Sequence, residues 1–441
     1  MDELGARAAA LVARHPRAAR LRRVGTSRAG APLLLLSVGH GERQALVVAG
    51  PHANEPVGGA TALRLAERVL TDRHLTEDAD ATWNLLLCLD PDGARRNEGW
   101  LAGPYTLGHY FRHFFRPGFL EQPEWLPDGA RGTVLPETRA LLDVQDELRP
   151  FFQGSLHGVD VGGGFVELTR DLPGLAPRLA QTAARLGVPR ELGPYDTLYW
   201  PVLGPAVYRI PPPRPADLAA AITEAAVEST WFHPHDYGTV TAVVEAPMWG
   251  VTAVGDASRP ADAAGVLRAV SGALRRDTRL LEGILGRIRP YLPDTAETAS
   301  LLAPVDDHLL VGPGLADSWD PDAYVPGGRP LPPLTNARLT ALGISGRRVA
   351  LRTAGLLRRL AMAAGPRAAG VLPELDRRID AWCADYRDGY GARWIPVARQ
   401  VEYQASVVLS AFELAGRHTR VRSRSGEPEW GSQAAVPMHR E

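Results

Sequence analysis

The sequence predicts an α/β protein, a mixed and mostly parallel sheet covered by helices on both faces, followed by a helical carboxyl-terminal part. Three observations carry this. Residues 45–49, 83–89 and 239–245 are short apolar runs, the pattern of strands buried on both faces. They alternate with segments of helical periodicity, as in layered α/β folds. Beyond about residue 290 helical patterns continue almost without strand signals.

Taken in order, residues 2–14 have alanine-rich helical spacing that ends near Pro16. Residues 33–38 and 45–49 read as neighbouring buried strands joined by the Gly39-His40-Gly41 turn. A helix over 56–70 follows, with proline at its start as helices favour. Residues 83–89 form a strand, 136–148 a helix and 151–157 a strand, which leads through a glycine-rich turn into 165–168. A helix over 175–186 and a strand over 239–245 complete an α/β domain spanning 1–290. Residues 291–335, rich in Pro, Gly and Asp, are expected to form an irregular connection. Residues 336–416 read as a helical extension, with helices over 338–364, 375–386 and 395–414, packed on the core or on a second subunit. The polar stretch 417–441 is expected to be disordered.

The chain has 441 residues, 45% of them hydrophobic and 22% charged, enough to bury a large core. A net charge of −1 argues against a polyanionic partner such as nucleic acid. All 49 basic residues are arginine, so Schiff-base catalysis and a lysine-dependent phosphate loop are excluded. Cys88 lies in an apolar run far from Cys383, so a buried free thiol is expected there, not a disulfide. No apolar stretch reaches the ~20 residues of a membrane span. Residues 1–5 lack the basic-then-apolar order of a signal peptide, and the expected location is cytoplasmic.

The densest chemical signal is Pro51-His52-Ala53-Asn54-Glu55, directly after an apolar run. His-x-x-Glu at a strand's carboxyl end puts imidazole and carboxylate where open α/β sheets keep their sites. These are also ligand types of catalytic zinc, which usually takes one further protein ligand and a water. His157, after the run 152–156 and before Gly162-Gly163-Gly164, is the candidate third ligand; small residues there allow close approach of substrate and backbone. Glu245 ends an apolar run, where burial raises a carboxyl pKa toward the range useful for proton transfer. The turn Asp90-Pro91-Asp92-Gly93 delivers Arg95, Arg96 and Asn97, groups suited to carboxylate or oxyanion recognition. Taken singly, each has an ordinary reading: a core histidine, a solvated carboxylate, surface arginines. His109 and His113 have helical spacing but no glutamate after the first, and fit an aromatic-rich loop over the cleft better than a ligand pair. His233 and His235, split by a proline, are a weak metal signal. Tyr195, Tyr199, Tyr208 and Tyr237 lie between His157 and Glu245, and any of them could supply a phenol over the site; Tyr208 and Tyr237 are carried forward as substrate-binding candidates.

In this order the residues resemble the zinc metallocarboxypeptidase family. His52 and Glu55, the 90–93 turn with Arg95 and Arg96, His157 and then Glu245 follow the family's succession, and residues 24–30 resemble its Gly-x-Ser-x-x-Gly lead-in. The resemblance covers roughly residues 1–280. It implies one zinc per chain held by His52, Glu55 and His157, with Glu245 activating the zinc-bound water and Arg95 or Arg96 stabilising the oxyanion. The implied activity is hydrolysis of an amide bond in a peptide or peptide-like metabolite. Two departures bear on specificity: the turn opens with Asp90 where the family has Asn, and the family's later Asn-Arg pair is represented only by Arg96 and Asn97. The related desuccinylase and aspartoacylase branch, acting on small N-acyl amino acids, is the alternative, and a non-catalytic binding relative is a third. The residues expected to line the pocket, 99–125 and 190–240, suggest an acidic or aromatic ligand.

Overall fold

In the computed structural model the strand-length runs join one sheet. Residues 1–126, 134–211, 229–326 and 328–425 are described, with side chains to residue 417. The strands are β1 (Ala19–Thr26), β2 (Pro32–Val38), β3 (Arg43–Ala49), β4 (Ala81–Leu86), β5 (Phe152–Gly162), β6 (Phe165–Leu168), β7 (Val202–Gly204), β8 (Val207–Arg209), β9 (Val240–Gly250) and β10 (Arg393–Trp394). They lie in the order β1-β2-β4-β3-β5-β9-β6-β8-β7, with β10 beside the end of β9. The sheet is mixed. Its centre, β4-β3-β5-β9, is parallel, and β2 and β6 join that centre antiparallel on either side.

Strands β2 and β3 are not neighbours, because β4 lies between them. Gly39 has a φ of +97°, and a Cβ there would sit 2.8 Å from the Ala81 carbonyl oxygen. The Gly39–Gly41 turn therefore wraps the start of β4 instead of closing a hairpin. Every residue of β4 is buried, consistent with an interior position. β5 and β9 both run past the ends expected from sequence, so His157 and Glu245 lie inside strands.

The helices are α1 (Asp2–Arg14), α2 (Val57–Thr71), α3 (Pro91–Arg95), α4 (Glu98–Leu101), α5 (Leu107–His113), α6 (Pro136–Leu148), α7 (Leu175–Leu186), α8 (Ala263–Ile288), α9 (Ala296–Trp319), α10 (Asn336–Ala363), α11 (Leu372–Ala384) and α12 (Val397–Ser425). Helix α6 covers one face of the sheet, where Leu141 and Val144 pack with Leu35, Leu46 and Val48. On the other face Tyr403, Val408 and Phe412 of α12 join a core with Leu65, Leu156 and Val244. Helix α12 is thus a layer of the α/β core. Its Gln404 donates to the carbonyls of His157 at 2.5 Å and Val244 at 3.2 Å, and accepts from Thr61 at 2.8 Å.

The irregular connection expected over 291–335 is largely helix, because α9 occupies Ala296–Trp319. Two interior prolines, Pro304 and Pro313, disguise it in the sequence. Burial of Leu301, Val305, Ala316 and Trp319 against neighbouring helices offsets their cost. Arg275 of α8 adds ion pairs to Asp317 at 2.7 Å and Asp320 at 2.6 Å. The tail expected from 417 begins as the last turns of α12, and residues 426–441 lie outside the described residues.

Helices α8 to α11 pack over the carboxyl end of the central strands. Arg352 of α10 pairs with fully buried Asp160 of β5 at 2.8 Å, and Asp160 also accepts from Tyr110 at 2.7 Å and Asn54 at 3.1 Å. Gly355 of α10 lies so near α5 that a Cβ would come within 2.0 Å of the Phe111 carbonyl oxygen. Cys88 and Cys383 are both free and buried. Among the described residues no helix is long and apolar enough to cross a membrane.

Candidate active site

Three donors converge where β3 ends and midway along its neighbour β5. The chain leaves β3 through Gly50, whose φ of +59° and contact with Cys88 suit glycine. A turn then follows in which Glu55 N–H donates to the His52 carbonyl at 3.1 Å. It sets His52 Nδ1 2.9 Å from Glu55 Oε1. Parallel pairing of Ala49 with Leu156 brings His157 alongside, and Glu55 Oε2 accepts from Gly158 N–H at 3.0 Å. His157 Nδ1 stands 3.6 Å from the same oxygen. The three buried residues can offer ligand atoms that all lie within 4.8 Å of one another. Two imidazoles and one carboxylate, with room for a fourth ligand, are a donor set that fits zinc.

Glu245 completes the group. It is paired in register with His157, and its Oε1 lies 3.9 Å from His157 Nδ1. Its Oε2 is buried without a hydrogen-bond partner among the described residues. Burial, reinforced by Glu55 and Glu167, holds its pKa well above the usual carboxylate range. Burial pushes His157 down to about 4, which keeps the imidazole neutral and able to bind a metal. For His52, burial and Arg116 act downward, but Glu124 and Glu55 outweigh them and the pKa is raised.

Two residues that sequence reasoning passed over stand at this centre. Arg116 donates to Glu55 Oε1 at 3.2 Å and to Gln122 Oε1 at 3.0 Å, and its Nη2 lies 2.7 Å from His52 Nε2. Glu124, fully buried, meets His52 Nε2 with one oxygen and stands 3.5 Å from His157 Nε2 with the other. Glu124 can accept from His52 Nε2, the usual carboxylate support for a histidine whose other nitrogen binds a metal, while His157 Nε2 lies 2.9 Å from Ser155 Oγ. Both residues belong to an extended stretch held from several sides. Phe119 N–H donates to Asp307 of α9 at 2.8 Å, and Thr230 N–H donates to the Glu124 carbonyl at 2.8 Å. The only signal in the sequence was position, within the aromatic-rich segment expected over the cleft.

The other sequence candidates lie elsewhere. Arg95 is at the surface, paired with Asp2 of α1. Arg96 bonds Ser300 at 2.6 Å and lies over the Phe115 ring at 3.6 Å, where burial and Arg359 lower its pKa to about 10. Asn97 is a buried strut: its amide donates to the carbonyls of Ala53, Gly93 and Phe115, and its oxygen accepts from Phe115 N–H. The turn at 90–93 opens the short helix α3, with Asp90 as its cap, and aims these side chains away from the metal donors. Tyr237 precedes β9, at the opposite end from Glu245, and donates to Asp146 at 2.6 Å. Tyr208 is buried and donates to the Glu191 carbonyl at 3.0 Å. Gly163 and Gly164 make room for Glu191 and Tyr403, not for substrate: added Cβ atoms would meet Glu191 N at 2.8 Å and the Tyr403 hydroxyl at 2.3 Å. His109 and His113 sit on α5, and His233 is 2.7 Å from Asp146. Neither pair joins the donor group.

Residues 6–103 match the family described as Zinc carboxypeptidase. No curated protein matches the sequence. Among solved structures, a metallo-carboxypeptidase from Burkholderia cenocepacia is 16% identical, with 54% of this chain and 58% of that chain covered and a TM-score of 0.34. The carboxypeptidase A from Helicoverpa armigera is also 16% identical, with coverages of 56% and 64% and a TM-score of 0.35. This chain therefore spans less than two thirds of either protein. The family match includes His52 and Glu55, while His157 and Glu245 lie beyond it and reach the same place through sheet register. Over residues 6–103 this chain is similar to the zinc carboxypeptidases.

Proposed function

We propose that this protein is a zinc-dependent hydrolase that cleaves an amide bond in a peptide or peptide-like substrate, as a metallocarboxypeptidase does. The observation that carries this reading is the convergence of His52, Glu55 and His157 beside Glu245, whose Oε2 has no hydrogen-bond partner among the described residues. His52, Glu55 and His157 would hold the metal, and zinc bound there would supply Lewis acidity at the scissile carbonyl and lower the pKa of water. Glu245 Oε2 accepts the proton of the attacking water and passes it to the leaving nitrogen, a task suited to its raised pKa. Arg116 commits Nε to Gln122 and one Nη1 hydrogen to Glu55, with Nη2 against His52 Nε2, and its remaining N–H donors can face a developing oxyanion. Arg116 thus takes the part first given to Arg95 or Arg96.

Metal analysis by mass spectrometry on wild type and His52→Ala is the direct test. The expected result is about one zinc per wild-type chain, lost in the variant. Hydrolysis is then screened with peptides and N-acyl amino acids, using Glu245→Gln as the inactive control. Turnover of acyl amino acids alone would move the reading to the desuccinylase and aspartoacylase branch. Bound zinc without turnover of any amide would favour a binding protein.

A further inference from the structure

The turn that carries His52 and Glu55 is anchored by a buried polar chain that ends on α10. Its two inner residues, Ala53 and Asn54, are both buried, and Asn97 holds the Ala53 carbonyl at 2.9 Å. Asn54 Nδ2 donates to Asp160 Oδ1 and to the Tyr110 hydroxyl, each at 3.1 Å. Tyr110 donates to the same Asp160 oxygen at 2.7 Å, and Arg352 Nε donates to the other, Oδ2, at 2.8 Å. One fully buried carboxylate thus joins the turn, α5 and α10.

Asp160 lies one turn of chain past His157 on β5, and Arg352 is the one cation that hydrogen-bonds it among the described residues. Burial would push the Asp160 carboxyl up, but Arg352, with Arg348 and Tyr110, outweighs burial and holds it below its ordinary value. Hydrogen bonds to an ionised acceptor are roughly twice as strong as those between neutral groups, so the grip on Asn54 depends on the charge that Arg352 maintains. Arg352 also has Glu55 among its electrostatic neighbours and lies over the Phe114 ring at 5.2 Å. One turn earlier on α10, Arg348 Nη2 donates to the Val161 carbonyl at 3.3 Å. Asn54 keeps its place under a penalty, because its Oδ1 is buried without a partner among the described residues. An apolar residue of similar size would avoid that penalty, so the amide is there for its two donors.

We propose that Arg352 and Asn54 are positioning residues for the metal site: through Asp160, α10 fixes the turn that sets His52 against Glu55, so zinc binding and the docking of α10 strengthen each other. This rests on the metal-site part of the reading above and is independent of whether an amide is cleaved. The coupling is reciprocal, since whatever raises zinc affinity when α10 is docked must tighten α10 when zinc binds. The helical part expected from the sequence as an extension is in this respect a component of the metal centre.

Zinc affinity is measured on the full chain by competition with a chelator, and amide hydrogen exchange of α10 is followed with and without zinc. Asn54→Ala, which leaves the Asp160–Arg352 pair whole, and Arg352→Met are each expected to weaken zinc by about 10–100-fold. Arg352 makes a single bond to Asp160, so Arg352→Lys, which keeps the charge, should retain most of the affinity. Arg347→Met is the control for lost α10 stability alone, because Arg347 pairs with Asp277 of α8 at 2.5 Å and with Asp385 at 2.8 Å. It should leave zinc affinity unchanged. Saturating zinc should slow exchange around residues 348–356 in wild type and not in Asn54→Ala. Equal zinc affinity in wild type and Asn54→Ala, a loss in Arg347→Met as large as in Arg352→Met, or wild-type α10 exchange indifferent to zinc would each overturn the coupling and leave the metal site standing. A wild-type chain that takes up no zinc would overturn both.

Discussion

His157 and Glu245 face each other across the parallel pair β5 and β9, with Nδ1 and Oε1 3.9 Å apart. They are far apart in sequence, and only strand register makes them neighbours. The arrangement would give the proposed metal ligand and the proposed proton acceptor one rigid support, which suits a site whose geometry must hold to a fraction of an ångström. Replacing Glu245 with Gln should keep the shape and the metal but remove the proton acceptor. Turnover is expected to fall by about 10²–10⁴-fold with zinc content unchanged, measured as kcat beside metal analysis. Loss of zinc in this variant would make Glu245 a ligand and not a base.

One Glu124 oxygen meets the outer nitrogen of His52, and the other stands 3.5 Å from that of His157, which bonds Ser155 Oγ at 2.9 Å. Glu124→Gln should leave the ligands in place but weaken their orientation and basicity. Zinc affinity is expected to drop by about 10–100-fold in competition with a chelator. An unchanged affinity would make Glu124 a packing residue.

The Asp160–Arg352 pair fastens α10 over the site. Asp160→Asn leaves a buried guanidinium without its counter-charge, and urea denaturation should show a loss of about 3–5 kcal/mol. Combining it with Arg352→Met should recover part of that loss, because the uncompensated charge is then gone.

His308 on α9 lies 3.0 Å from the Thr353 hydroxyl, and burial with Arg352 and Arg116 pushes its pKa down to about 3. Its ordinary value is 6.5, so between about 3 and 6.5 the unfolded chain binds the proton and the folded chain does not. This contribution to stability is complete above pH 6.5 and is lost as pH falls through that window. His308→Gln should therefore flatten the dependence of Tm on pH between 3 and 6.5. An unchanged slope would show that His308 is not protected in the folded state.

Much of the fold was legible because periodicity is local. The helices at 2–14, 136–148 and 175–186 and the strand at 165–168 follow from spacing and end signals within each segment. Helix α9 was not legible, since Pro304 and Pro313 break the local pattern and only packing on α8 and α10 supports them. The position of β4 between β2 and β3 depends on pairing partners, which no single segment specifies.

The same division runs through the site. Residue type and order along the chain picked out His52, Glu55, His157 and Glu245, which strand register brings together, because these residue types each follow strand-like runs. Arg95, Arg96 and Asn97 looked equally suitable, but the direction of a side chain after a turn is set by α3, and all three point elsewhere. Arg116 and Glu124 have no motif at all. Their place comes from α9 pinning the stretch after α5. Donor chemistry is a property of residues and can be read one at a time. Which charges meet in a pocket depends on register and packing between distant segments, and only the tertiary structure decides that.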